Sequence, residues 1–505
     1  MKSSTKNIIS YDSKQFFNLE RAIENIPIVS ILVSSLYRNL KLVSSTEITC
    51  NNNAQLLYSA LNKPTNIGAL FTNEELVQLF NTSLSVPTSE SQLKQKKFWV
   101  SPLVPEIGNY GLAARNIGQP WNPGAFILEI IANYSSDINE FVELIKNLIL
   151  ALEVQDNDID IWSLCVKYEF DQISENLGID KGTSFNEQNF RDFYNNKNRP
   201  GKKLLHFSKF ARNTILDLKN IVNLKNRLTR QKWIGFFEGF IRLTMFNHII
   251  YTLNLSKNYF NLLEDKLNQG STKVLKDDIL NFINLGFNIY DVRIKVGTSR
   301  KDYIRENIES FAYYNALVNE LLNHCGYSNF KDFESEYEFT LITEEILNRF
   351  KSQENLKKFK IQFQNDNEIE LSKFNENFSS LKNIKESLGY LCSRKSSSKE
   401  KYISDVNFLF DKNGYSLNSP YYLKISSGLI STLTSLIFLR KEDTNSFISG
   451  LEFIKGLNEY NIQLSIHDIS SGDIKNTMLS LGIVIDCPDT EGGVLIIKPA
   501  WIKHI

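Results

Sequence analysis

Between Lys197 and Lys232 the chain carries eleven basic residues: Lys197, Arg199, Lys202, Lys203, Lys209, Arg212, Lys219, Lys225, Arg227, Arg230 and Lys232. One acid, Asp217, lies among them, so the net charge of the stretch is +10. Cations at that density attract a phosphate backbone by releasing its condensed counterions, whatever the base sequence. Phe207 and Phe210 interleave the charges, and Trp233, Phe236, Phe237 and Phe240 follow at once. Exposed rings would stack on bases, but their helical spacing points to core packing, where large aromatics usually sit. Immediately upstream, Glu153 to Asp192 holds ten acids against three bases, a net of −7. The pair of segments therefore reads either as a polyanion site beside an acidic region or as two segments that neutralise each other within the fold. Lys202, Lys203, Arg212, Lys225, Arg227 and Arg230 are the candidate nucleic-acid contacts, of a kind that positions a backbone rather than reads bases.

Arg242 and His248 lie six positions apart in a helical pattern. The spacing resembles the Arg/His pair of HEPN-type ribonucleases. That resemblance implies metal-independent RNA cleavage, with the arginine holding phosphate and the histidine moving a proton. Six residues of α-helix leave the two side chains about 120° apart, however, and short pairs of this kind recur by chance. Asp156, Asp158 and Asp160 begin like a calcium loop, but Ile161 stands where glycine is needed and Lys167 where a bidentate glutamate belongs. The PDTEGGVLIIK ribbon carries Asp489, Glu491 and Lys498 without the acid two residues before the lysine that a PD-(D/E)xK nuclease requires; Ile496 stands there. The five histidines (206, 248, 324, 467, 504) form no HxxxH or HExxH, and no phosphate loop, nucleophile elbow or dinucleotide fingerprint occurs. The expectation is a protein without a metal or cofactor, and more naturally a non-enzyme than an enzyme.

Length and composition bound the rest. A chain of 505 residues has room for two to four domains. Hydrophobic content of 42% and charged content of 23% are those of a folded protein. Lys+Arg and Asp+Glu are equal at 57 each, so overall charge names no partner. The five cysteines are scattered, with no CxxC pair, as expected in a reducing compartment. No signal-peptide pattern opens the chain, and the apolar stretch from Ile26 to Tyr37 is shorter than the ~18 residues of a membrane span. A cytoplasmic protein with no membrane partner is expected.

The elements that must position these residues are mostly helices. Residues 1–85 read as an N-terminal helical unit and 86–124, with five of the eleven prolines, as a Pro/Gly-rich connection containing Trp99 and Trp121. Residues 125–392 read as a helical middle domain, with apolar residues at three- and four-residue spacing in INEFVELIKNLILALEV and in the run from Ser299. The polar stretch 393–401 is the linker candidate, and 402–505 the C-terminal domain. There, a helix is expected from Gly428 to Arg440. A second over TNSFISGLEFIKGLNEYN places Phe447, Leu451, Ile454 and Leu457 on one face, and a third covers GDIKNTMLSLG. Two strands around PDTEGG follow, and this order resembles a winged helix.

The fold class expected is mainly α: a multi-domain helical protein with a small C-terminal winged-helix-like α/β module. From Thr444 to the end there are seven acids and four lysines. That module therefore reads as a docking or self-association surface rather than a DNA reader. The function expected is an accessory protein that binds nucleic acid through the basic stretch and docks in a larger assembly. The competing reading is a protein–protein scaffold that binds no nucleic acid.

Overall fold

Among the described residues the first continuous helix opens at Asp137, whose carboxylate accepts from the amides of Asn139 and Glu140, at 2.7 and 2.9 Å, satisfying two of the donors a helix start leaves over. This helix, α1 (Ile138–Leu152), buries Phe141, Leu144, Ile145, Leu148, Ile149 and Leu152, which recur at the three- and four-residue spacing of one face. In the computed structural model the residues described are 134–153, 186–197, 209–285, 336–352, 427–441, 446–460 and 462–502, with isolated positions between them. Residues 1–127, Asp156, Asp158 and Asp160, Lys202 and Lys203, the start of the helix expected from Ser299 and the 393–401 linker lie outside the described residues.

Beyond α1 come α2 (Glu187–Lys197), α3 (Lys209–Asn223), a 3-10 turn (Leu224–Arg227), the 39-residue α4 (Arg230–Asn268), α5 (Lys276–Leu285), β1 (Ile294–Lys295) and α6 (Glu336–Phe350). The described residues are mostly helical, with a small antiparallel sheet near the C-terminus. Phe141 of α1 stacks on Phe193 of α2 at 6.2 Å. Tyr259 of α4 packs on Phe339 of α6 and shares a hydrogen bond with Thr343 at 3.1 Å. Trp233, Phe236, Phe237 and Phe240 are all buried, as their spacing implies for core aromatics.

The C-terminal region is built around α7 (Ser427–Lys441), which is buried on nearly every side from Leu429 to Phe438. Its hydroxyls do not spoil that burial, because each turns back to a carbonyl four residues earlier. Thr432 donates to Gly428 at 3.0 Å, Thr434 to Ile430 at 2.7 Å and Ser435 to Ser431 at 2.8 Å. Around α7 stand α3 and α4 on the upstream side. The elements that follow it in the chain are β2 (Phe447–Ser449), α8 (Gly450–Asn458), β3 (Ile462–Gln463), α9 (Ile466–Ser470), α10 (Gly472–Ser480), β4 (Val484–Asp486), β5 (Val494–Ile497) and a closing 3-10 turn (Ala500–Ile502). Of these, α8, α10 and the 3-10 turn pack on α7 directly. The sheet order is β2-β5-β4, all antiparallel, and β3 pairs in parallel with β1.

The helix expected from Thr444 is corrected at its start. Phe447–Ser449 is a strand, and the helix begins at Gly450. The reason is a capping box: the Glu452 amide donates to Ser449 Oγ at 3.2 Å while the Ser449 amide donates to the Glu452 carboxylate at 3.0 Å. A second box, Ser465 with Asp468, starts the short α9, which the sequence reading passed over. The hairpin turns on Gly492 and Gly493, whose φ values of +95° and +68° only glycine adopts readily.

Two glycines give opposite expectations for one substitution. A Cβ on Gly456 would lie 2.8–3.0 Å from three atoms of Ile437 in α7, whereas a Cβ on the solvent-facing Gly235 of α4 meets nothing within 4 Å. Overpacking typically costs ~1–3 kcal/mol and exceeds the gain from replacing a helical glycine, so Gly456→Ala is expected to lower unfolding free energy. Gly235→Ala is expected to raise it by ~0.5–1 kcal/mol. Urea denaturation of the two variants reads the sign directly.

Candidate functional site

From Lys209 onward the basic stretch folds as α3, the 3-10 turn and the first turns of α4, and burial sorts the described charges there into two sets. On α3, Ala211, Thr214, Ile215, Leu218 and Ile221 are buried, which leaves Arg212, Leu216, Lys219 and Asn223 together on the exposed face at three- and four-residue spacing. Arg227 is exposed just beyond. This face is the surface a polyanion could reach. Lys219 leans toward α1 and donates to Glu140 at 2.9 Å.

Two of the candidate contacts are not on that surface. Arg230 is 0% exposed. Its guanidinium donates to the carbonyls of Leu152 and Glu153, the latter at 3.1 Å, at the C-terminal end of α1. A helix C-terminus leaves carbonyls without internal partners and carries partial negative charge, so a buried cation is well placed there. Lys225 is likewise buried within the 3-10 turn. Arg230 and Lys225 are therefore buried rather than on the exposed face, although the sequence reading names them among the phosphate contacts. Lys232, further along, sits with its ammonium 4.1 Å from the centre of the Trp501 ring, and the Trp501 indole donates to Ser435 at 3.2 Å.

The densest polar arrangement lies behind the basic face. Asp217, the lone acid of the stretch, is turned inward with a side chain 3% exposed. Arg440 of α7 donates from Nε to Oδ1 at 2.7 Å and from Nη2 to Oδ2 at 2.5 Å. Tyr460 donates its hydroxyl to the same Oδ2 at 3.1 Å, and the Arg440 guanidinium lies 4.2 Å from the Tyr460 ring centre. Glu459 accepts from Arg440 Nη1 at 2.9 Å. Burial pushes the Asp217 carboxyl up and Arg440 and Tyr460 pull against it. Burial also raises the Tyr460 hydroxyl well above its ordinary range, with the Asp217 charge adding to the shift. Burial disfavours the Arg440 charge, but Tyr460, Asp217 and Glu459 outweigh it and raise the guanidinium further. Three donors converge on two oxygens, an arrangement that suits an ionised carboxylate and a neutral tyrosine. The arrangement reads as a structural lock between α3, α7 and the end of α8. One sequence signal could have found it: an acid on the apolar face of a helix needs a partner.

Arg242 and His248 both belong to the continuous helix α4, and their side chains lie outside the described residues. Cys325 is buried and its thiol is pushed up to about 11 by that burial, which favours the protonated thiol at neutral pH. Among the described residues no group of three or more His, Cys, Asp or Glu could hold a metal ion, and no helix is long and apolar enough to cross a membrane. In the C-terminal region Lys475, the one lysine of α10, is held by Asp486 at 2.5 Å. Asp473, Asp489 and Glu491 remain exposed nearby. No family model matches the chain, and neither the curated proteins nor the solved structures contain a match.

Two measurements check this description. Removing one partner of a buried ion pair typically costs ~3–5 kcal/mol, so Asp217→Ala and Arg440→Met should each lose that much in chemical denaturation. The double variant should lose far less than the two together, and simple additivity would show that the residues do not act as a unit. The second concerns Glu140. Burial raises its carboxyl, but the Ser136 amide, Lys219 and the Ser136 hydroxyl outweigh that and leave it below the usual range. A folded pKa below the unfolded value, about 4.3, adds stability above that value and loses it as pH falls through the folded one. Glu140→Gln should accordingly flatten the acid limb of stability measured from neutral pH down to about pH 3.

Proposed function

We propose that the chain is a non-enzymatic accessory protein that binds nucleic acid along the exposed face of α3 and docks onto a protein assembly through its C-terminal region. The observation that carries the reading is the clustering of Arg212 and Lys219 on one solvent-facing helical stripe, with Arg227 continuing it. A single cationic face is what a phosphate backbone needs, and a basic stretch wholly consumed inside the fold would not leave one. Lys202 and Lys203 precede α3 in the sequence and extend the same run of charge. The contacts proposed are to backbone phosphates, so the affinity is salt-dependent and tolerant of sequence.

The docking half rests on a different feature. Lys475 is engaged by Asp486, while the neighbouring acids stay exposed, so the C-terminal region repels a phosphate backbone and suits a protein surface instead. The winged-helix resemblance of its sequence belongs to this reading too, supported by helices beside a small antiparallel sheet.

Reversal of four charges tests the nucleic-acid half. The variant Lys202→Glu/Lys203→Glu/Arg212→Glu/Arg227→Glu should bind labelled single-stranded and duplex DNA and RNA at least about tenfold more weakly at moderate salt. Its slope of log affinity against log salt should be shallower by roughly three to four. Mobility shift at two or more salt concentrations, with the thermal midpoint checked, reads both. Unchanged affinity in a folded variant would leave the scaffold reading standing and remove this one.

A further inference from the structure

The aromatic rings that follow the basic stretch belong to the core: Trp233, Phe236, Phe237 and Phe240 are all buried and offer no face to a base. A ring from elsewhere in the chain takes that position. Trp501, in the closing 3-10 turn, is half-buried, and the exposed Lys232 holds its ammonium 4.1 Å from the ring centre. The indole itself is fixed in place. Its N–H donates to Ser435 of α7 at 3.2 Å, and Phe236 meets it at 75° with the ring centres 5.9 Å apart. The result is an aromatic plate held in one orientation with a solvent-exposed lysine over it.

Helix α4 leaves room beside the plate. Lys232 and Gly235 are both exposed, three residues apart on one side of the helix. A glycine inside a helix is destabilising relative to alanine, and close packing is a common reason to keep one. Gly239 has that reason, since a Cβ there would lie 2.8 Å from Thr432 of α7. Gly235 has none among the described residues, because a Cβ there meets nothing within 4 Å. Its bare backbone lets a ligand chain approach α4 closely next to Lys232. Arg227, which continues the α3 face, precedes Lys232 by five residues, so their Cα atoms are at most about 18 Å apart. A few nucleotides of an extended strand cover that distance.

Stacking decides which nucleic acid fits. A base inside a duplex is covered on both faces by its neighbours, whereas the bases of a single strand splay out onto aromatic rings. A stacked base holds such a ring more strongly than an exposed ammonium does, so the exchange is favourable. We infer that Trp501 and Lys232 form a base-stacking step beyond the end of the α3 face, and that the nucleic acid taken is a single strand rather than a duplex. Lys232 leaves the ring for a phosphate of the strand as a base takes its place. The inference rests on the nucleic-acid half of the proposed function, whose own contacts read only phosphates.

The test uses the full chain and three labelled probes of about fifteen nucleotides: an oligothymidylate, an abasic strand with the same phosphates, and a duplex. In fluorescence anisotropy at one salt concentration, the oligothymidylate is expected to bind at least about tenfold more tightly than either of the others. Trp501→Leu should abolish its advantage over the abasic strand and leave duplex binding unchanged. Lys232→Ala, at an exposed position, should keep the thermal midpoint and make the slope of log affinity against log salt shallower by about 0.7 for the single strand alone. Gly235→Gln fills the bare flank and should weaken the oligothymidylate severalfold without lowering the midpoint. If Trp501→Leu loses its fold, these two variants carry the test. The same pattern with oligouridylate would support the inference equally and name RNA as the strand. Equal affinity for all three probes, or a folded Trp501→Leu that keeps the preference, would overturn the inference and leave the phosphate-binding face standing. Failure of the parent chain to bind any probe would overturn both readings.

Discussion

Taking a carboxylate and a guanidinium out of water costs several kcal/mol per ion, and the cost is recovered only when every donor and acceptor finds a partner in good geometry. Asp217 and Arg440 approach that condition through two parallel hydrogen bonds, a tyrosine hydroxyl and a second carboxylate. They are separated by 223 residues of sequence, so the pair can form only when α3 and α7 are seated against each other. Hydrophobic burial around α7 provides most of the driving force. The ion pair provides the requirement for one particular seating, because any slip would strand a charge.

The same logic explains why a stretch of +10 does not present eleven cations to solvent. Arg230 satisfies carbonyls at the end of α1 and Lys225 is buried, while Lys232 touches the Trp501 ring from an exposed position. Two of these tie the stretch to other elements: Arg230 to α1 upstream, and Lys232 to the C-terminal 3-10 turn downstream. Charge in this region has been divided between holding helices together and facing water. Only the second share is available to a ligand, which is why the helical face matters more than the count.

Patterns governed by local physics were legible in the sequence. The amphipathic spacing of α1, the apolar run of α7 and the PDTEGG turn between β4 and β5 all follow from rules that act within a few residues. Position 447 was misread because Phe447 stands four residues before Leu451 and so completes an apparent helical stripe. The capping box at Ser449 decides the boundary, and Phe447 then faces outward on a strand. The fates of Arg230 and Lys225 were not legible at all. Nothing in an arginine's sequence neighbourhood announces that the end of another helix, 78 residues earlier, will need its donors. Asp217 was half legible: its place on an apolar face signals a partner but not which one.

Because α7 is enclosed by α3, α4, α8, α10 and the closing 3-10 turn, its amides cannot reach solvent by a small local opening. Exchange at Leu433 or Leu436 requires the surrounding helices to part, and that separation breaks the Asp217–Arg440 bonds in the same event. The helices that carry the basic residues and the elements that carry the sheet then share one cooperative transition rather than melting in turn. A binding event on either surface would raise the stability of both by mass action, with no movement of one relative to the other.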